Sequence, residues 1–173
     1  AFIEPIRNAR AAGTVVVSAS GNAGPNTSVS PGNVYDGFAV GAINTDGESP
    51  AFSSGEQIVT DEAWGDDAPA DWPDEYVVPD VAAVGVGVES ASTTGGYETK
   101  LGTSMATPHV AGTVALLRAA NPDLSVETAE RALRRSAVHP RGDVSDTRYG
   151  QGWIDANATL TAVTTGTVTG TVS

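Results

Sequence analysis

Gly102-Thr103-Ser104-Met105-Ala106-Thr107-Pro108-His109-Val110-Ala111-Gly112 runs directly into Thr113-Val114-Ala115-Leu116-Leu117. No other stretch limits so sharply what this chain can fold into. The first residues read as a turn, and the remainder reads as a helix with almost nothing polar on it. A helix apolar all round is expected inside a protein, covered on every face. Ser104 would then sit near the N-terminus of a buried helix. Free backbone N–H groups and the helix dipole favour negative charge there, which suits a serine that must carry a developing alkoxide. The position equally suits a serine that only caps the helix. Spacing alone leaves both readings open.

The preceding chain supplies a frame for that helix. Ile3 to Ala12 suits a short helix, with Ile3 and Ile6 near one face and Gly13 placed to end it. Val15 to Ser20 reads as a buried parallel strand, β-branched and continuous, and Phe38 to Ile43 as a second one. Helix alternating with buried strand is the α/β pattern with a parallel sheet. In such sheets, sites gather at the carboxyl ends of strands. Gly21-Asn22-Ala23-Gly24-Pro25 stands at that end of the first strand, although by itself it is a turn. Further on, Val86 to Ala91 reads as a strand and Thr93 to Lys100 as a hairpin. Ser125 is the expected N-cap of a helix running to about Ala137, with Val126, Ala129, Ala132 and Leu133 as its apolar stripe. A short last helix is expected to run to about Ala162.

Gly102 to Gly112 resembles, position by position, the nucleophile segment of the subtilisin-like serine proteases. Val15-Val16-Val17, a small-residue run and Gly21-Asn22 are similar to the oxyanion segment of that family. Pro79-Asp80-Val81-Ala82-Ala83 resembles a structural element of it, with Val84 where the family usually has proline. Tyr149 to Ala156 is similar to the signature that closes its catalytic domain. The resemblance implies an incomplete, parallel-sheet subtilisin-like fold over residues 1–163, with residues 164–173 as a Thr/Gly linker or the start of a further domain. It implies Ser104 as nucleophile and Asn22 as the oxyanion-hole donor. It implies a substrate pocket drawn from Ala19, Ser20, Gly21, Ser30, Pro31 and Gly32, with no charge at its base, which suits an apolar residue before the cut bond. Only the second half of a catalytic domain is matched. The triad Asp and His are therefore expected upstream of Ala1, and this fragment is expected to be inactive alone.

Two histidines and one aspartate could tempt a catalytic reading, and none of them supports it. His109 lies five positions beyond Ser104, a rotation of roughly 140° on a helix, and the resemblance makes it a packing residue. His139 follows the next helix and is expected at the surface. The resemblance makes Asp80 structural.

Gly55 to Tyr76 is unlike the rest: Asp61, Glu62, Asp66, Asp67, Asp71, Asp74 and Glu75 cluster there with no basic residue, and Trp64 and Trp72 are interleaved. The resemblance makes this an insertion, since family members commonly have a much shorter connection. It reads as a solvated surface insertion or as a calcium loop, since hard cations want several carboxylate oxygens. Its spacing matches no EF-hand, so metal ligands stay unassigned. The tryptophans are expected to pin it to the body.

Charge narrows the partners. The net charge is -12, and Lys100 is the only lysine. An acidic surface argues against nucleic acid or an anionic membrane. It fits a protein from a salt-loving organism as well as an ordinary acidic secreted one. Cysteine is absent, which excludes disulfides and thiolate metal sites. No apolar run reaches the roughly 18 residues of a membrane span. The first residues read as mid-protein rather than as a signal peptide. The expected whole is a secreted, extracellular serine endopeptidase acting on polypeptides, needing no cofactor for its chemistry and leaving room for a structural calcium. A peptide-binding pseudoprotease and a non-catalytic structural fragment remain as alternatives. Without its upstream strand the sheet should keep an open apolar edge through which the fragment self-associates.

Overall fold

Phe38-Ala39-Val40-Gly41-Ala42-Ile43 has no polar side chain, so it needs cover on both faces. In the computed structural model, which describes residues 2–142 and 144–165, it is the middle strand of the main sheet, and every one of its residues is buried. The first elements are α1 (Ile3–Ala11), β1 (Val17–Ala19), β2 (Phe38–Ile43), β3 (Glu56–Val59), α2 (Thr60–Trp64) and a 3-10 turn (Gly65–Asp67). They are followed by β4 (Glu75–Val78), β5 (Val81–Val84), β6 (Val88–Ala91), β7 (Tyr97–Lys100), α3 (Thr103–Ala120), α4 (Val126–Ser136) and α5 (Ala156–Thr164). The main sheet has the order β1-β2-β5 and is parallel throughout. β3 pairs with β4, and β6 with β7, as separate antiparallel hairpins. The α/β, parallel-sheet expectation therefore holds.

Phe38, Val40, Ala42, Val81 and Ala83 from the sheet meet Ala106 and Val110 of α3 and Leu133 of α4 in one core. Burying a side chain such as Phe38 or Leu133 contributes about 1.5–3 kcal/mol each. α4 begins as its sequence demands, with Ser125 Oγ accepting from the Thr128 N–H at 3.2 Å. Val126, Ala129, Ala132 and Leu133 are its buried stripe. The same helix buries Glu130, which is held by the guanidinium groups of Arg10 and Arg134. Burial pushes that carboxyl up, against the pull of both arginines.

Three expectations change. β1 is shorter than Val15 to Ser20, and β6 starts at Val88 because Val86 and Gly87 form a bend. α3 is not covered on every side. Thr103, Ala106, Val110, Thr113 and Leu117 form one buried stripe at three- and four-residue intervals, while Leu116 is 53% exposed. The three-stranded sheet and the two later helices reach only one side of it. Its open side, from Pro108 to Leu116, lines an apolar groove of about 540 Å³ with Ile43 and Trp153.

The two edges of the main sheet differ. On the β5 edge, Ala82 donates to Gly152 O at 2.8 Å and accepts from Ile154 N at 3.0 Å, while Gln151 N reaches Asp80 O at 2.8 Å. On the β1 side, Val16 O and Ser20 N face β2, so the N–H groups of Val17 and Ala19 point outward. Among the described residues no strand pairs with that edge. The Gly55–Tyr76 segment folds as most of the β3–β4 hairpin with α2 at its tip. Trp64 and Trp72 meet edge to face at 5.4 Å, and Trp72 packs with Ile3 and Ile6 of α1, so both tryptophans do pin it. Residues 166–173, most of the expected linker, lie outside the described residues, while Thr164 closes α5.

Candidate active site

Gly102 makes the turn that aims α3. Its φ is +143°, a conformation open to glycine and unfavourable for other residues. A Cβ there would also stand 3.3 Å from Asn22 Nδ2. Its N–H donates to Gly85 O at 2.8 Å, which hangs the turn from the segment after β5. Ser104 is the second residue of α3, and it is exposed. Its hydroxyl makes no hydrogen bond with the described residues. Pro108 has no N–H to give to the Ser104 carbonyl, so the first turn of the helix lacks that bond.

Thr103, a member of the matched segment for which the sequence predicts no role, joins the two candidate segments. It is fully buried. Its N–H donates to Asn22 Oδ1 at 2.9 Å. Its hydroxyl accepts from Gly21 N at 3.2 Å and lies 3.1 Å from Asn22 Oδ1 and 3.2 Å from Gly21 O, to either of which it can donate. The Thr103 N–H on Oδ1, with the hydroxyl within reach of the same oxygen, fixes which way the Asn22 amide faces. Oδ1 is turned inward to Thr103, and Nδ2 remains as a free donor beside the turn that carries Ser104.

The carboxyl end of β1 is itself held. Ser20 Oγ donates to Ser54 O at 2.8 Å, Ser54 N to Gly21 O at 2.9 Å, and Ala23 N to Ser54 Oγ at 2.9 Å. Ser20 and Gly21 are buried and Ala19 is half-buried. The second pocket segment lies against the first. A Cβ on Gly32 would fall 2.1 Å from Ala19 O, so only glycine permits this approach. Ser30 is exposed and Pro31 half-buried beside it. The structure thus brings Ala19, Ser20 and Gly21 together with Ser30, Pro31 and Gly32, and sets Asn22 against the Ser104 turn.

Neither histidine joins them. His109 is exposed on α3, not packed, with its Nδ1 3.0 Å from Met105 O. His139 is not a surface residue: its side chain is 2% exposed, with Nε2 3.3 Å from Asp146 Oδ2. Tyr149 covers the ring edge to face at 5.4 Å. Burial pushes the Asp146 carboxyl up, but the N–H groups of Tyr149 and Arg148 and the guanidinium of Arg141 hold it below its ordinary value. Asp80 is structural, as expected. It accepts from the Ala39 N–H at 2.6 Å and from Arg134 at 2.8 and 3.0 Å. Among the described residues, no three His, Cys, Asp or Glu side chains converge to hold a metal. Two carboxylates of Gly55–Tyr76 have partners of their own, Asp71 on Arg7 and Glu75 on Gln57.

Comparison with known proteins identifies the family. The profile of the subtilase family matches residues 2–152. Alkaline elastase YaB of Bacillus sp. (strain YaB) is 32% identical over 90% of this chain and 35% of its own length. Subtilisin BL of Lederbergia lenta is 31% identical over 90% of this chain and 49% of its own. Subtilisin E of Bacillus subtilis (strain 168) is 31% identical over 88% of this chain and 35% of its own. The chain therefore spans between a third and a half of the length of these relatives. No helix among the described residues is long and apolar enough to cross a membrane.

Proposed function

This chain belongs to the subtilase family, a family of serine-protease type, and from that premise we propose that the full-length protein is a secreted endopeptidase working through an acyl-enzyme. Ser104 Oγ attacks the scissile carbonyl carbon, and the carbonyl electron pair moves onto oxygen. Asn22 Nδ2 and the Ser104 N–H hold that oxygen while it is negative. A serine hydroxyl is a weak nucleophile without a base. The histidine that takes its proton, and the acid that orients that histidine, come from the part of the relatives' length that this chain does not span. On collapse of the intermediate the proton passes to the leaving amine, and water then releases the acyl group. The substrate is a polypeptide with an apolar residue before the cut bond, seated among Ala19, Ser20, Gly21, Ser30, Pro31 and Gly32. Neither nucleic acid nor membrane takes part, and no cofactor enters the chemistry.

One observation carries this reading: the Thr103 N–H donates to Asn22 Oδ1 at 2.9 Å, with the Thr103 hydroxyl 3.1 Å from the same oxygen. A preorganised donor aimed before reaction is what oxyanion stabilisation requires. The alternative of a peptide-binding protein without catalysis is separated by one experiment. A fluorophosphonate probe should label the full-length protein, and Ser104→Ala should abolish the labelling. Full-length protein that stays unlabelled, or that labels equally in the variant, refutes the assignment.

A further inference from the structure

We propose that the β3–β4 hairpin is a brace that sets the width of the substrate pocket, with Tyr76 and Ser28 as positioning residues. The proposal rests on reading Ser104 as the nucleophile of a peptidase. The pocket wall at Ser30 to Gly32 lies in a stretch, residues 22–37, that contains no helix and no strand. Such a loop has no ladder of its own to fix its shape. Both of its flanks are instead tied to one rigid unit.

The leading flank is held at the root of β3. Asn26 N donates to Gly55 O at 2.8 Å, and Thr27 bridges to Gly55. Ser28 Oγ donates to Glu56 Oε1 at 2.7 Å. The trailing flank is held at β4 and the hairpin tip. Tyr76 OH donates to Asn33 O at 2.6 Å and accepts from Trp64 Nε1 at 2.9 Å. Trp72 Nε1 donates to Asp36 Oδ2 at 2.8 Å. The Tyr35 ring lies between, 5.1 Å from Tyr76 and 5.9 Å from Trp72. Glu56 and Tyr76 belong to strands in fixed register, with Ile58 opposite Tyr76 and Glu56 opposite Val78. The distance between the two ties is therefore set by a β-ladder, and the wall is strung between them.

The brace is fixed to the body in turn. Ile58 and Val78 are buried against Ala39 of β2, and Arg7 of α1 grips both carboxylate oxygens of Asp71 at 2.9 Å. Burial pushes the Tyr76 phenol up to about 12, so it remains a donor to Asn33 at neutral pH. A wall held in this way keeps its spacing from Ala19. Releasing either flank lets it move outward and blunts discrimination between large and small residues before the cut bond.

The test uses the full-length protein and peptide anilides that differ only in the residue before the scissile bond. Tyr76→Phe removes the hydroxyl and keeps the ring. Ser28→Ala releases the other flank. For the preferred peptide each should raise KM by about fivefold, the worth of one neutral hydrogen bond, with kcat held within about twofold because the transition-state donors are untouched. The preference ratio between a large apolar residue and alanine should fall by the same factor. Arg118→Gln, which breaks a tie to Gly13 O outside the brace, should leave that ratio unchanged. A merely structural role predicts a lower Tm with an unchanged ratio in Tyr76→Phe and Ser28→Ala, and that result overturns the brace. If Tyr76→Phe fails to fold, Ser28→Ala decides alone. Wild-type protein that cleaves no peptide of the panel overturns the peptidase reading itself, and the brace with it.

Discussion

Thr103→Val tests the link between the two candidate catalytic segments with almost no change in shape. Valine keeps the buried volume and deletes the hydroxyl. The Gly21 N–H, buried and paired to that hydroxyl at 3.2 Å, loses its acceptor. A buried donor left unpaired costs about 1–3 kcal/mol. For a protein of this size or larger, each kcal/mol lowers Tm by about 2–4 °C, so a fall of about 2–12 °C is expected. Asn22 Oδ1 keeps the Thr103 N–H at 2.9 Å and loses the hydroxyl at 3.1 Å. The amide is then held by one donor instead of two. Loss of one neutral bond from the aiming of Nδ2 should lower kcat by about fivefold with little change in KM. Thr103→Ser restores the hydroxyl but not the methyl group. It should recover kcat while remaining slightly less stable than wild type. The assays are thermal unfolding and steady-state kinetics on the full-length protein. Wild-type Tm and kcat in Thr103→Val would refute the view that this threonine aims Asn22.

Four further outcomes are expected. Asn22→Ala should cut kcat by about 10²–10³ with a much smaller change in KM, and an effect on KM alone would remove Asn22 from the oxyanion role. Thermal stability should rise between dilute buffer and molar salt, because the exposed acids of residues 61–75 repel one another in a chain of net charge -12; a flat Tm across that range would contradict a salt-adapted surface. The Asp146 carboxyl is held below its ordinary 3.8 when folded, so its stabilisation is complete above that value and is lost as pH falls through the lower, folded value. Asp146→Asn should flatten this acid limb in an unfolding titration, and an unchanged limb would discard the linkage. The 173-residue chain alone should resist fluorophosphonate labelling and should associate with a second copy through the open β1 edge or the groove beside Leu116, whereas a monomer in light scattering at high concentration would show those surfaces to be self-sufficient.

The helix after Gly102 is legible in sequence because glycine acts locally, while the nucleophile role of Ser104 is legible only through the resemblance. Gly102 turns the chain, and the run after it has no other buried form. β2 is legible for a similar reason, since an uninterrupted apolar strand must be central. What the sequence hides is pairwise. Thr103 looks like one more small polar residue until Asn22 arrives from the far end of β1. Ser54 is equally plain until it meets Ser20, Gly21 and Ala23. The uncovered side of α3 is hidden because composition tells what a helix tolerates, and only the sheet's width tells what covers it. The burial of His139 is hidden because it depends on Tyr149 and Asp146, which fold back over it from beyond a turn.

The strand pairings of the main sheet also have an order in time. Val17 meets Phe38, Val40 meets Val81, and Ala82 meets Trp153. Each partner lies further along the chain than the last, so each closure encloses a roughly doubled loop and adds about 0.6 kcal/mol of closure entropy. On a ribosome, β1 and β2 emerge before α3, α4 and β5, the parts of this stretch that cover them. Arg148, whose guanidinium ties the carbonyls of Ser49, Pro50 and Ser53 at 3.2, 2.6 and 2.7 Å, comes late, and the Gln151–Ile154 cover of β5 comes later still. Within this stretch the most apolar strand is made ahead of much of its cover, and β5 gains its last edge partner only once Gln151–Ile154 has followed.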